Sequence, residues 1–284
     1  MFIGGHISIG GGHANALEKI VTMGGNSLQI FSISPRGWEF AKIPDEAINT
    51  FVTKRQELEV KPIFFHASYL VNFADNDRIG QLSKQTLKHE LRLAARMGVR
   101  GSIVHLGSFK EKTDSPNVLN LFPDKYKTLI ENIGEVLNDT PEETMFIMEN
   151  AGNRKLGKSM EEVFQIVKDV ASPRMKVCLD TCHLHAAGYA LTHHDTFEMF
   201  LDLFDKAIGI NKLELWHMND SKDPFCSFRD RHENLGEGMI GLETFTNIMN
   251  HKTMKNVPMI IETPGFDGLG PDKANIDILK GLMR

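Results

Sequence analysis

Residues Leu213–Gly238 read LELWHMNDSKDPFCSFRDRHENLGEG, and this stretch contains the pattern that decides the fold. It begins as an apolar run of strand length, passes through His217 and Asp220, and ends in turn-forming residues. Asp230 and His232 are two residues apart, so in an extended segment both side chains point to one side. A carboxylate and an imidazole on one side suit a divalent cation such as zinc. A solvated, charged loop explains this stretch alone equally well.

Seven other parts of the chain are built in the same way, because each has an apolar run followed by a segment of helical spacing. In chain order the eight runs are Phe2–Ser8, Ser27–Ile33, Pro62–His66, Ser102–Leu106, Thr144–Glu149, Lys176–Asp180, Lys212–His217 and Val257–Glu262. Continuous apolar strands that alternate with helices indicate parallel strands buried on both faces. Eight units without a composition break predict an α/β fold, a single-domain (β/α)8 TIM barrel over residues 1–284.

Turn and capping residues predict several helix boundaries within these units. Pro44 opens the second helix, since proline is favoured in the first turn. Gly98 ends the third helix. Ser159, with Glu162 three residues later, predicts a capping box at the start of the fifth.

The formal net charge of −5 disfavours a protein that coats nucleic acid through a basic surface. Formal charge leaves out bound metal, and three divalent ions would bring this value to +1. An acidic composition is therefore compatible with a metal-dependent nuclease.

The chain has no apolar run of membrane-spanning length and no basic-then-apolar leader at its start. Its three cysteines do not form a disulfide framework, and we expect Cys178 and Cys182 to be buried small residues. We expect an intracellular, cytoplasmic protein with no membrane partner.

The active site of such a barrel lies at the carboxyl ends of the strands. The residues at those ends are His6, Gln29, His66, His105, Glu149, Asp180, His217 and Glu262. One such histidine alone is usually a structural residue. Seven histidines and carboxylates at one end would be costly to bury without a counter-charge, which divalent cations supply.

Further ligand candidates lie just beyond the strand ends. The complete candidate set is His66, His105, Glu149, Asp180, His183, His217, Asp230, His232 and Glu262. Because a zinc ion takes about three to four protein ligands, these residues suit three ions if one carboxylate bridges. Imidazole and carboxylate ligands without thiolate favour zinc or manganese over magnesium. Neighbouring ions of this kind can promote phosphodiester hydrolysis.

Several longer motifs contain these candidates. They are GGHISIGGGHANA, FHASYLVNFA, IVHLGS, IMENAG, CLDTCHLHAAGY, WHMNDSK, DRHENLGEGMIG and IIETPG. Through them the chain resembles the endonuclease IV family, the zinc-dependent apurinic/apyrimidinic endonucleases of DNA repair, over nearly its whole length. The resemblance implies incision 5′ to abasic sites, leaving a 3′-hydroxyl and a 5′-deoxyribose phosphate, and trimming of blocked 3′ ends.

The resemblance also implies how the candidate ligands are shared among three zinc ions. The first ion would be held by His66, His105 and Glu149; the second by Glu149, Asp180, His217 and Glu262; the third by His183, Asp230 and His232. Glu149 would bridge the first two and orient the nucleophile, which makes it the expected catalytic residue. Manganese is an alternative at one or more sites. We expect a monomer that acts on double-stranded DNA.

DNA contacts carried over from the resemblance lie on loops beside these ligands. Arg36 and Trp38 match a loop that enters the helix beside the lesion, and Tyr69 and Leu70 match one that fills the gap left by the flipped nucleotide. Asn72, Ser108, Ser221 and Lys222 are expected phosphate contacts. His6 is expected to support the metal ligands.

The chain departs from the family pattern in three places. Gly37 stands where a glutamine is more common, residues 105–109 read HLGSF, and Asn153–Lys155 replace a glutamine and glycine stretch. None of these changes removes a candidate ligand, so they bear on substrate preference and not on the class of reaction.

Two other functions compete with a repair nuclease. A sugar isomerase or epimerase on a related barrel needs about four ligands, and Glu149, Asp180, His217 and Glu262 would be enough for it. The other candidate ligands would then have no role. A non-catalytic damage-binding protein would have lost a ligand, and all nine positions are filled here.

Overall fold

The computed structural model describes residues 1–38, 42–111, 115 and 117–284. Its strands are β1 (Ile3–His6), β2 (Ser27–Phe31), β3 (Ile63–His66), β4 (Gly101–Val104), β5 (Met145–Glu149), β6 (Met175–Asp180), β7 (Leu213–His217), β8 (Asp220–Ser221), β9 (His232–Glu233) and β10 (Met259–Ile261). All except β8 and β9 pair in parallel and close in the order β1-β10-β7-β6-β5-β4-β3-β2. Each of the eight predicted runs overlaps one barrel strand, so the predicted TIM barrel is confirmed.

Helices alternate with the barrel strands and, apart from one short helix at the carboxyl end of β6, cover the outside of the barrel. They are α1 (His13–Thr22), α2 (Asp45–Glu57), α3 (Arg78–Met97), α4 (Pro123–Asn138), α5 (Met160–Val170), α6 (Thr181–Ala186), α7 (His194–Ile208), α8 (Leu242–Asn250) and α9 (Lys273–Gly281). The short helix α6 directly follows β6, and the sequence patterns did not predict it. Among the described residues, no helix combines the length and apolar character needed to cross a membrane.

The barrel strands separate two apolar layers. The interior layer consists of Phe64, Ile103, Ile147, Cys178, Leu215 and Ile260. Their neighbours along the strands, such as Phe65, Met148 and Trp216, face the helices instead. Because side chains alternate along a strand, the residue two positions after each interior one returns to the barrel axis. That position lies at the carboxyl end of the strand.

Helix boundaries follow local chemistry, with one departure from prediction. Gly98 ends α3 with φ 65°, a left-handed conformation that favours glycine. Ser159 Oγ accepts from the backbone N–H of Glu162, as predicted. A complete capping box also needs the Glu162 carboxylate to accept from the backbone N–H of Ser159. That part of the prediction is wrong, because the carboxylate accepts from the backbone N–H groups of Gly157 and Val118 instead. Glu162 therefore ties the start of α5 to the preceding loops.

A small antiparallel hairpin, formed by β8 and β9, lies above the end of β7. Asp220 pairs with Glu233 and Ser221 pairs with His232. The hairpin returns the chain to the carboxyl end of the barrel, and this return brings Asp230 and His232 toward the strand ends.

Candidate metal centre

Six ligand candidates lie two residues beyond the interior apolar layer, at or just after the strand ends. They are His66, His105, Glu149, Asp180, His217 and Glu262. The strand alternation that buries one apolar residue per strand therefore also directs these six side chains to one end of the barrel. Helix α6 and the hairpin supply the other three candidates, His183, Asp230 and His232.

The first group joins β3, β4 and β5. His66 Nε2 and His105 Nε2 each lie 3.2 Å from the same oxygen, Glu149 Oε2. Two imidazole nitrogens and one carboxylate oxygen around a common point form an open, three-ligand site. This is the arrangement from which catalytic zinc sites are built.

The second group surrounds the Nδ1 atom of His217. Glu149 Oε1 is 2.9 Å from this nitrogen, Glu262 Oε2 is 3.3 Å away and Asp180 Oδ2 is 3.7 Å away. The two oxygens of Glu149 therefore belong to different groups, which is the geometry expected of a bridging carboxylate.

The third group combines α6 with the hairpin. His183 Nε2 is 3.0 Å from Asp230 Oδ1, and His232 Nε2 is 3.5 Å from the same oxygen. The ligand atoms of each group lie within 4.8 Å of one another. The structure thus assembles the nine candidates in the same three sets that the family resemblance implies, while metal binding by them remains a prediction.

Hydrogen bonds to the far side of the imidazole rings orient most of these histidines. Nδ1 of His66, His183 and His232 can donate to the backbone carbonyls of Ala67, Asn150 and Glu262, respectively, at 2.8, 2.9 and 3.2 Å. In each ring this turns Nε2 toward the carboxylates, so Nε2 is the nitrogen available to a metal ion. His183 Nε2 and His232 Nε2 are buried beside the Asp230 carboxylate but make no hydrogen bond of good geometry. Such ring nitrogens fit a divalent cation.

Amide side chains hold the second group, and of these Gln29 alone was noted from the sequence. Gln29 Oε1 accepts from His217 Nε2 at 2.7 Å, and its amide nitrogen donates to Glu262 Oε1 at 2.6 Å. Asn219 is fully buried, donates to Asp180 Oδ2 and accepts from the backbone N–H of Glu262. Both amides therefore hold candidate ligands in position, although neither amide is itself a candidate ligand.

Two further polar residues brace the same ligands. Asn150 Oδ1 accepts from the backbone N–H of Asp180 at 2.7 Å. His6 Nδ1 lies 3.1 Å from Glu262 Oε1, a position that agrees with its predicted supporting role. Asn150 was missed, although it directly follows Glu149 in the IMEN motif.

The electrostatics of the cluster favour added positive charge. Burial lowers the pKa of His183, but the carboxylates of Asp180 and Asp230 outweigh it and raise the pKa to about 10. Burial raises the pKa of Glu149, yet the neighbouring imidazoles of His105 and His217 bring it well below its usual value. The carboxylates thus stay ionised and attract protons to the rings. Divalent cations can supply the same charge when bound.

Two cysteines lie close enough to the candidate ligands to compete with them. Cys178 adjoins Glu149 and His217, and Cys182 adjoins Asp180 and His232. Burial raises the pKa of the Cys178 thiol to about 12, and this side chain belongs to the apolar interior layer. Burial also raises the pKa of Cys182. Both therefore behave as buried small residues, as predicted.

Asp220 lies within the predicted site motif but has a different role. Its carboxylate accepts from the backbone N–H groups of Ser221, Gly236 and Ile240 at 2.8 to 3.0 Å. The side chain is fully buried. Asp220 therefore fastens the turn that follows the hairpin, and its oxygens are taken up by these backbone N–H groups.

The predicted DNA-contact residues divide by exposure. Tyr69 is 59% exposed, and Arg36 and Lys222 are also exposed, while Leu70 and Ser108 are partly buried. Trp38 is partly buried against the apolar core. These residues lie on loops at the carboxyl ends of the strands, and their contact with DNA stays a prediction.

Asn72 and Ser221 are buried and already engaged within the protein. The Asn72 amide donates to the carbonyl of Ser108 and accepts from the backbone N–H of Ala74. The Ser221 hydroxyl is bonded to both backbone groups of Asp223. Both side chains therefore hold the surrounding loops, and their contact with DNA stays a prediction.

Comparison with known proteins identifies the family. The family model described as xylose isomerase-like TIM barrel matches residues 17–282. The protein named "Probable endonuclease 4" from Halothermothrix orenii is 34% identical over 284 residues, which cover 99% of each chain. The chain belongs to the endonuclease IV family. As a member of this family it is a hydrolase with endonuclease activity.

Solved structures agree with this family assignment. The crystal structure of endonuclease IV from Thermus thermophilus superposes with a TM-score of 0.84 at 29% identity and covers 99% of this chain and 98% of that one. A D-tagatose 3-epimerase-like protein also superposes, with a TM-score of 0.70 at 21% identity, 99% of this chain and 97% of that one being covered. The second likeness shows a shared fold alone.

Proposed function

We propose that this endonuclease IV family member hydrolyses the DNA backbone 5′ to abasic sites and also trims blocked 3′ ends. Incision would leave a 3′-hydroxyl and a 5′-deoxyribose phosphate. The observation that supports this proposal most is the three-group cluster in which Glu149 is shared. Membership of the endonuclease IV family supports the same reaction class.

We propose that the cluster takes three zinc ions, with manganese as an alternative at one or more positions. The sets are His66, His105 and Glu149; Glu149, Asp180, His217 and Glu262; and His183, Asp230 and His232. Bound divalent ions would supply Lewis-acid chemistry, which activates water and neutralises phosphate and leaving-group oxygens. The thiol-free donor set supports zinc or manganese over magnesium.

Glu149 is proposed as the catalytic residue of the chain. Its side chain is fully buried, and its lowered pKa keeps it ionised at neutral pH. An ionised carboxylate at the junction of two groups can accept a hydrogen bond from the attacking water and orient it toward phosphorus. Because it remains ionised, Glu149 is unsuited to act as a general acid.

Selectivity for abasic sites is proposed to come from the loops around the mouth of the barrel. An abasic nucleotide has no base to unstack, so its displacement from the helix requires less energy. Arg36 and Trp38 would enter the helix beside the lesion, and Tyr69 and Leu70 would fill the gap that the displaced nucleotide leaves. Ser108 and Lys222 would position the backbone through phosphate contacts.

A sugar isomerase or epimerase is the second candidate function. The observation that favours it is the Glu149, Asp180, His217 and Glu262 group, which could hold the metal of such an enzyme. The remaining two groups would be unnecessary for such a reaction. The number of bound ions separates the two functions, because one ion per chain is enough for the isomerase.

Incision of a duplex with one tetrahydrofuran abasic analogue tests the proposed function. We expect a single cut 5′ to the analogue, lost when the enzyme is treated with chelator. Glu149→Gln should lower the rate by at least about 100-fold, because it removes the charge that orients the water. Glu131→Gln, on the exposed side of α4, is the matched control and should leave the rate unchanged. Equal cutting of undamaged DNA, or full activity in Glu149→Gln, would contradict the proposal.

A further inference from the structure

In the part of the chain that the structure describes, the exposed aromatic side chains lie at one end of the barrel. Among the residues that the structure describes, the large aromatic side chains classed as exposed are Tyr69, Phe225, Phe228 and Phe266. Tyr69 follows β3, Phe225 and Phe228 lie between β8 and β9, and Phe266 follows β10. A single exposed phenylalanine needs no explanation. Their common position at the carboxyl ends of the strands does, because this is the end that carries the metal cluster.

Phe225 and Phe228 lie on the segment that connects the hairpin strands and leads into the third metal group. Phe228 comes two residues before Asp230, whose carboxylate faces His183 at 3.0 Å. Phe225 and Phe228 are 49% and 41% exposed, respectively. Two apolar rings therefore face solvent at the edge of a highly polar site.

The backbone holds this segment in one conformation. The N–H groups of Cys226 and Phe228 donate to the carbonyls of His185 and Ala186 at the end of α6, at 3.1 and 3.0 Å. Cys226 and Phe228 have φ values of 60° and 52°, in the left-handed region that is unfavourable for residues other than glycine. Strain of this kind persists only where neighbouring contacts impose it, and it often occurs at functional sites.

The two rings differ in their surroundings. Phe225 packs edge-on against the His185 ring, with 5.4 Å between the ring centroids. This contact makes Phe225 part of the support for the segment. Phe228 is therefore the better candidate for contact with a ligand.

The cations beside Phe228 favour an anionic partner. Arg229 and Arg231 have side chains that are 67% and 58% exposed. Both approach the Asp223 carboxylate, Arg231 through two hydrogen bonds of 2.6 and 2.7 Å. Asp223 thus limits the positions that the guanidinium groups can take while leaving them open to solvent. An exposed ring beside two exposed guanidinium groups suits a strand of nucleic acid, which has both phosphates and stacking bases.

We propose that Phe228 is a stacking residue for the DNA substrate, and that Arg229 and Arg231 hold the adjacent phosphates. This inference rests on the proposed function, since it places the same DNA strand on a further loop of the mouth. Phe228 would lie across the third metal group from the loops of Arg36 and Tyr69. It would receive a base or sugar of the duplex next to the abasic site.

Phe228→Gly tests this proposal and separates the ring from the fold. Glycine accepts the positive φ without strain, so we expect a melting temperature equal to or above that of the wild type. Loss of one base–aromatic contact should raise KM for the tetrahydrofuran duplex about ten-fold, with kcat changed by less than about two-fold. Phe228→Trp keeps a ring and should retain the wild-type KM. Leu203→Ala, which removes an apolar group that is 48% exposed on α7, is the control and should change neither constant.

Fluorescence supplies an independent signature. A 2-aminopurine placed at successive positions around the lesion should show quenching at one position with the wild type, and that quenching should be absent with Phe228→Gly. Anisotropy of the same labelled duplex measures binding directly. A wild type that binds but does not cut would contradict the proposed function and leave the Phe228 comparison intact. Equal KM, equal binding and identical quenching in the two proteins would overturn the stacking role.

Discussion

At the scale of single residues, the site depends on amide side chains that hold both a ligand and its neighbour. Gln29 accepts from one histidine of the second group and donates to one carboxylate. Because the amide oxygen accepts from His217 Nε2, the other ring nitrogen, Nδ1, is the one that faces the cluster. Asn219 does the same for Asp180 and Glu262. Gln29 and Asn219 therefore set the positions of the candidate ligands without being ligands themselves.

Glu90 is a buried acid outside the cluster whose charge has a separate consequence. It lies on α3 with 1% of its surface exposed and accepts from the hydroxyls of Ser32 and Ser102 at 2.8 and 2.6 Å. Burial raises its pKa from 4.5 to about 7, and the two hydroxyl donors and the charge of His66 oppose this shift only in part. A neutral carboxyl group, like an amide, can form hydrogen bonds with both serine hydroxyls.

Glu90→Gln should therefore change how stability depends on pH. A raised folded-state pKa contributes stability that is present below pH 4.5 and lost as the pH rises through about 7. The Glu90→Gln variant has an uncharged amide at this position, so its stability is not lowered by ionisation as the pH rises. Relative to the wild type, its free energy of unfolding should gain about 3 kcal/mol between pH 4.5 and pH 8.

Urea unfolding of both proteins after chelation, at several pH values, measures this difference without a contribution from bound metal. Glu131→Gln, an exposed acid on α4, is the control and should follow the wild type. A constant difference between Glu90→Gln and the wild type across this range would show that Glu90 is ionised in the folded protein.

At the scale of elements, the β8–β9 hairpin completes the site that the barrel strands begin. The hairpin positions Asp230 and His232, and Asp220 fastens the following turn through three backbone N–H groups. The third group therefore depends on a carboxylate that takes no part in it.

Asp220→Ala should loosen this turn. Removal of the carboxylate leaves three N–H donors without their partner in a buried place, which should lower the free energy of unfolding by about 3 kcal/mol. The third metal ion should be lost before the other two, because two of its proposed ligands, Asp230 and His232, are carried by the hairpin. Metal content after dialysis and urea unfolding measure the two effects. Asp202→Ala, on the exposed side of α7, is the control; an intact third site in Asp220→Ala would refute the coupling.

The elements differ in how well the sequence predicts them. Barrel strands and the ligands at their ends follow a period of two, so His66 and His217 could be located from apolar runs alone. The hairpin is only two residues long on each side and has no such period. The contacts of Glu162 also escaped prediction, because they join a helix start to distant loops. Phe228 lies in an ordinary loop sequence, and only three-dimensional structure reveals its exposure.

At the scale of the whole molecule, the apolar residues that stabilise the barrel and the residues of the candidate site lie in different layers. The interior apolar layer, from Phe64 to Ile260, fills the barrel below the site. The ligands, the exposed aromatic rings and the predicted DNA loops lie at the carboxyl ends of the strands. A chain of net charge −5 can then approach DNA at the one end where bound cations would offset its acids.

The central claim is that nine side chains hold three metal ions around a shared Glu149. Elemental analysis of the protein after reconstitution with zinc and removal of free metal tests it most directly. We expect three zinc ions per chain in the wild type and two in His183→Ala, which removes a ligand of the third group only. One ion per chain in the wild type, with no change in His183→Ala, would contradict the claim.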